Sequence, residues 1–396
     1  MQKYVPYILG LLLVACIAGC GSGGTTTSAP PVYAAPKSFA SYSSLPDTPR
    51  GGAVQWGAIS TSAKSFSNYS VSTVTGIAGS SGFTDGPPAL FNHPTDITFD
   101  ANGKNFYVTD YLNNAIRKIT SGGVVTTLQC TDLATGAVVV FNRPNGITTD
   151  GKNLYVVDTG SNTVRVIEIA TNIATRIGSA IGLAGSIDST DRTAVLFNQP
   201  IGITTDGKNL YVTDFNNATV RWIDINNNYA VSTLAGAPGV SGSTDGKPED
   251  ARFHLPGRIT TDGKNLYLTD FYSRTIRQID IRTGTVTTIA GSPGPESSDY
   301  GTADGTGSAA HFNQPNGITT DGINLYVTDT YLNSIRKIVI SSGDVTTIAG
   351  IPAKNGIGGN VDSPGTPSFY SPIGITTDGT SLFVADSYNN TIRKIR

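Results

Sequence analysis

A single unit recurs six times between Phe91 and Arg396, so the chain has to build six copies of one structure. Each copy opens on F-x-x-P: Phe91 and Pro94, Phe141 and Pro144, Phe197 and Pro200, Phe253 and Pro256, Phe312 and Pro315, Phe369 and Pro372. An Ile-Thr pair and an Asp follow, then a [YF]-[VL]-x-D segment ending at Asp110, Asp158, Asp214, Asp270, Asp329 and Asp386. An [IV]-R-x-I segment closes the unit with Arg117, Arg165, Arg221, Arg277, Arg336 and Arg393. The Asp-to-Arg spacing is seven in every copy, and the period of 48 to 59 residues exceeds that of most helical repeats.

Within the unit, residues 315–338 read "PNGITTDGINLYVTDTYLNSIRKI", and "VTTIAG" follows shortly after. "GITTD", "NLYVTD", "SIRKI" and "VTTIAG" are four strands, and Asp-Gly between the first two is tight-turn chemistry. Ile335 and Ile338 fall on opposite faces of the third strand, so the small sheet is covered on both sides, as a blade between two like blades is. The last copy reaches Arg396 without a fourth strand, while "VSTVTGIAG", residues 71–79, stands alone ahead of the first. The expected fold is therefore an all-β, six-bladed β-propeller of four-stranded antiparallel blades, closed by the N-terminal strand completing the last blade. Composition agrees, with 46 Gly, one Met and only 14% charged residues. A net charge of −2 provides no basic field for nucleic acid or anionic lipid.

The pattern F-x-x-P-x-G-I-x-x-D…LYV-x-D…N-x-I-R-x-I resembles the NHL repeat, over about residues 71 to 396. That resemblance implies the propeller and leaves function open. NHL propellers include RNA-binding domains, extracellular sensor domains of bacterial kinases, and a zinc-dependent peptide-amidating lyase.

The N-terminus has a different character. Lys3 precedes "ILGLLLVACIAG", an apolar run short for a membrane span, and "IAGC" resembles the lipobox of bacterial lipoproteins. The resemblance implies a signal peptide over residues 1–19, lipidation of Cys20, and, with Gly21 next, sorting to the outer membrane if the host has one. Residues 20–69, rich in Ser, Thr, Pro, Ala and Gly, read as a tether whose r.m.s. reach is about 40 Å. Cys16 lies in the signal and Cys20 would carry lipid, which leaves Cys130 without a partner for a disulfide.

The six Asp and six Arg of the repeat are expected to be structural: each Asp capping a hairpin corner, each Arg buried between blades and needing a carboxylate. Binding residues are expected where copies differ. Two positions after Pro, four copies carry Gly (Gly146, Gly202, Gly317, Gly374), but Asp96 and Arg258 stand in the first and fourth, opposite one another in a ring of six. One position earlier, Asn145 and Asn316 are also three copies apart. They resemble the channel Asn that binds calcium in gluconolactonase-like propellers, although hard cations want more oxygen ligands than these supply. The three His, His93, His254 and His311, occupy unlike registers and do not form a zinc set. Neither G-x-S-x-G nor C-x-x-C-H appears. Aromatics in five of the hairpins that follow a repeat Asp, Phe271 and Tyr331 among them, would share a face with the long inter-blade loops and suit a glycan or peptide.

The leading expectation is a lipid-anchored, non-enzymatic binding or scaffold propeller of the bacterial cell envelope. It is expected to be monomeric, to need no cofactor and to take a protein, peptide or glycan. Its only membrane contact is through the anchor. The rival expectation is a metal-assisted lyase or lactonase with Ca or Zn in the channel.

Overall fold

In the computed structural model, the described residues are 69–100, 105–293, 301–351, 358–362 and 367–396. The signal segment, Cys20 and the tether up to residue 68 lie outside them. Tyr69, assigned above to the tether, belongs to the folded body: it is buried beside Tyr326 and Ile395.

Six inner strands, Pro94–Phe99, Pro144–Thr149, Pro200–Thr205, Pro256–Thr261, Pro315–Thr320 and Pro372–Thr377, line a closed ring in which the first neighbours both the second and the sixth. Each pairs antiparallel with the strand that ends in the repeat Asp, and that strand with the one carrying the repeat Arg. In the sixth blade the outer strand is Val71–Gly76, paired antiparallel with Thr391–Ile395 from Val71↔Ile395 to Gly76↔Thr391. The chain is a six-bladed propeller closed by its N-terminal strand.

Two blades depart from four strands. Gly305–Thr306 adds an antiparallel edge to the fifth blade, and Thr131–Asp132 adds a parallel one to the second. Both additions come from inter-blade loops, which therefore serve partly as sheet. Core clusters sit at the seams between blades, because every blade is apolar on both faces.

Strand alternation does the positioning. On each inner strand the Gly, Asp or Arg position is followed by an Ile, and all six of these (Ile97, Ile147, Ile203, Ile259, Ile318, Ile375) are buried. The inner strands run so close that a Cβ on Gly146 or Gly317 would strike the backbone carbonyl of Ile201 or Ile373 on the neighbouring blade. These glycines are needed for strand approach; the space they leave is already filled by backbone.

Candidate functional site

The repeat charges form one assembly in each blade. Asp214 and Arg221 meet at 2.8 Å with both side chains fully buried, and Asp110–Arg117, Asp270–Arg277 and Asp386–Arg393 do the same at 2.6, 2.8 and 2.7 Å. Asp329–Arg336 is looser at 3.4 Å, and Asp158–Arg165 looser still at 3.8 Å. The other carboxylate oxygen accepts a backbone N–H from the F-x-x-P turn, as Asp214 does from Asn198 at 2.7 Å. Burial pushes all six carboxyls above their ordinary range, Asp386 to about 6 and Asp329 to about 7.

A second carboxylate, unread in the sequence, completes each assembly. Asp85, Asp132, Asp188, Asp245, Asp304 and Asp362, all in the inter-blade loops, reach the same arginines. In five blades the guanidinium also donates to two loop carbonyls; Arg221 bonds Leu196 O and Ile187 O at 3.0 and 3.1 Å. Its face lies 5.1 Å from the Phe197 ring, so the Phe of F-x-x-P packs as a cation–π partner. The loop is thereby stapled down onto its blade.

Blade-to-blade latches were also missed. Thr109, Thr213, Thr269 and Thr328, just before the repeat Asp, donate their hydroxyls to carbonyls of the next inner strand at 2.5 to 2.7 Å. Asn114, Asn162, Asn333 and Asn390, each with positive φ, accept the N–H of the residue before the next blade's Pro. Both residues recur in the repeat, and that recurrence was the available signal.

At the channel, the four exceptional residues converge. The Arg258 guanidinium crosses the ring from the fourth blade, donating to Asn316 Oδ1, to Asn145 Oδ1 at 2.6 Å and to Thr95 O at 2.7 Å. Its Nε lies 3.6 Å from Asp96 Oδ2. Asp96 also accepts the N–H of Ile97 at 3.0 Å and of Ile147 at 3.2 Å. Burial pushes the Asp96 carboxyl up and the Arg258 guanidinium down. With 5% and 11% of the Arg258 and Asp96 side chains exposed, the four form a crossbar across the channel. Beside it lies a cavity of about 70 Å³ edged by the Thr and Ile of the inner strands.

This arrangement does not fit a calcium ion. The amide oxygens of Asn145 and Asn316, the atoms that would ligate it, face a guanidinium, and the one carboxylate is paired with that same cation. Among the described residues, no three of His, Cys, Asp and Glu converge as a metal set.

The expected aromatic face needs correction. Phe271 is 4% exposed and packs against Tyr272, while Tyr111 and Phe215 at the same turn position are buried too. The first residue of this turn reaches toward the next blade, as the Thr159 and Thr330 hydroxyls do in donating to Pro200 O and Pro372 O at 2.6 and 2.7 Å. Tyr331, one place further along, is 36% exposed. The most exposed large side chains lie in the inter-blade loops, among them Phe83 before the first blade, Leu133, Val138 and Val140 before the second, and Ile181, Leu183 and Ile187 before the third.

No family model matches the chain. It is 24% identical over 344 residues to NHL repeat-containing protein 2 of Gallus gallus, covering 78% of this chain and 47% of that one. The chain is a homologue of NHL repeat-containing proteins. It spans about half that relative's length. Among solved structures, an auxiliary nutrient binding protein from Bacteroides thetaiotaomicron aligns with TM-score 0.62 at 18% identity, covering 83% of this chain and 76% of that one. A streptogramin B lyase aligns with TM-score 0.50 at 15% identity, covering 83% of this chain and 98% of that one. At such identities these likenesses concern the fold alone. A fold shared by a protein named for binding and one named for lysis does not decide between the two.

Proposed function

We propose that this NHL-repeat propeller is a non-enzymatic binding protein of the bacterial cell envelope, held at a membrane by lipid on Cys20, with a protein or peptide as its ligand. The observation that carries the reading is the loop face before the second and third blades. There Val140 and Ile181 are each 78% exposed, Val138 66% and Leu133 63%. Exposed aliphatic side chains grouped on neighbouring loops mark an interaction surface. The loop bases are pinned by Arg165 and Arg221, so the surface is organised before a partner arrives. The predominance of aliphatic side chains in these two loops favours protein over glycan. The channel residues, paired with one another, favour no catalytic role.

Photo-crosslinking in intact cells tests this. A crosslinker at Val140 or Ile181 should give a discrete adduct that one at Ile323, exposed in a turn of the opposite face, does not. Equal labelling from both faces would overturn the reading. The anchor is tested separately: labelled palmitate should enter the wild type and not Cys20→Ala.

A further inference from the structure

The seam between the first and second blades is where the repeat is most disturbed. The outer strand of the first blade is only Val125–Thr127, whereas its counterparts run five to seven residues. The chain then crosses to the second blade and pairs parallel with Ile173–Ile177. A cavity of about 330 Å³ opens at this seam, the lower end of the range for small-molecule pockets.

The registers place its lining. On the first blade Tyr107, Lys118 and Thr126 stand in one row across three strands. The position of Lys118 is held by Trp222 on the third blade, in the same row as Tyr211 and Ser232. Across the seam Asn172 precedes the outer strand of the second blade with φ +58°, and Tyr229 takes that place, with the same φ, on the third. Tyr229 packs against the core beside Tyr155 and so fills the seam between the second and third blades. Phe99 and Phe106 fill the seam between the sixth and first. At this seam the two positions carry Lys118 and Asn172, and both line the cleft.

Its chemistry is one-sided. Lys118, Gln129, Asn172 and Thr126 supply donors, Leu128, Leu154 and Ile169 supply an apolar wall, and no lining residue is acidic. Lys394, the counterpart of Lys118 on the sixth blade, lies over the Phe383 ring at 5.2 Å. Among the described residues no carboxylate pairs with Lys118. The carboxylate of Glu168, on the turn that bears Asn172, accepts the Thr171 hydroxyl at 2.8 Å.

We infer that this cleft binds a small organic carboxylate with an apolar body, its charge on Lys118, its oxygens reached by Gln129 and Asn172, and its body against Leu128, Leu154 and Ile169. The inference goes beyond the loop-face reading: it names a second ligand class at a different place on the molecule.

Calorimetric titration of the full-length protein tests it, with benzoate as the probe. Benzamide serves as the neutral isostere and glucuronate as the carboxylate with a polar body. Benzoate should bind saturably at one per chain, with benzamide and glucuronate weaker by about tenfold or more. Lys118→Met should weaken benzoate by about tenfold. Asn172→Tyr, which copies the neighbouring seam, should abolish binding while leaving the melting temperature unchanged. If that variant does not fold, Lys118→Met decides alone. Lack of saturable binding at millimolar benzoate, or equal binding to wild type and both variants, would overturn the assignment. Crosslinks from Val140 that persist in that case would leave the broader binding reading standing.

Discussion

At the residue scale, the blades differ in how well they stabilise a buried carboxylate. Asn113, Asn217 and Asn389 donate side-chain amides to Asp110, Asp214 and Asp386 at 2.9, 2.8 and 2.8 Å. In the fifth blade Leu332 holds that place, and Arg336 stands back at 3.4 Å. Asp329 therefore ionises without the amide donor those three have, and burial raises it to about 7. Between the ordinary carboxylate range and that value the native state holds a proton the unfolded chain has released. Stability must then fall as pH rises through the window. Leu332→Asn should restore the missing donor and shrink the difference in melting temperature between about pH 5 and about pH 8; an unchanged difference would show that Asp329 does not control it. The pairing of each Asp with an Arg seven residues on was legible because six copies repeat it. The loop carboxylates escaped notice because they sit in segments of unequal length, 32 residues before Arg117, 33 before Arg165 and 31 before Arg393. The burial of Phe271 was not legible at all, since neighbouring turn positions look alike in sequence and differ only in direction.

At the element scale, counting strands was enough to foresee ring closure, because a leftover strand at one end matched a gap at the other. The short outer strand of the first blade was not foreseen. Its "VTT" copies those of the fourth and fifth blades, and the difference lies just beyond it. There the fourth blade places Gly291 at φ +88°, where a Cβ would strike the Arg274 carbonyl. Cys130 takes the corresponding place in the first blade, so the chain cannot follow the same path and leaves for its neighbour. Closure itself makes a firm prediction. Deleting residues 69–76 removes Tyr69 and Val71 from the core and exposes the whole edge of Thr391–Ile395. The product should be insoluble or lose its cooperative melt, as circular dichroism on heating would show. A melting temperature equal to that of the full chain would mean that the closing strand adds nothing to stability.

At the scale of the whole molecule, one arginine ties together blades that are far apart in sequence. Arg258 of the fourth blade bonds residues of the first, second and fifth, and its nearest carboxylate, on Asp96, lies across the ring. Asp96→Gly alone would leave that guanidinium buried without a counter-charge, a change worth about 3–5 kcal/mol. Removing both, Asp96→Gly with Arg258→Gly, returns two positions to the residue found in the other four blades and strands no charge. The double variant should therefore be more stable than Asp96→Gly, with a positive coupling measured by denaturant unfolding. It also separates two places for the binding function. Asp96, Asn145, Arg258 and Asn316 were the positions at which sixfold uniformity breaks, and a ligand of mixed charge at that mouth would need all four. In the arrangement seen here the Arg258 guanidinium is taken up by the Asn145 and Asn316 amide oxygens and faces the Asp96 carboxylate, so a partner held by the loops around Val140 and Ile181 should crosslink to the double variant as it does to the wild type. Loss of the adduct from a double variant that still melts cooperatively would move the binding site from the loops to the channel mouth.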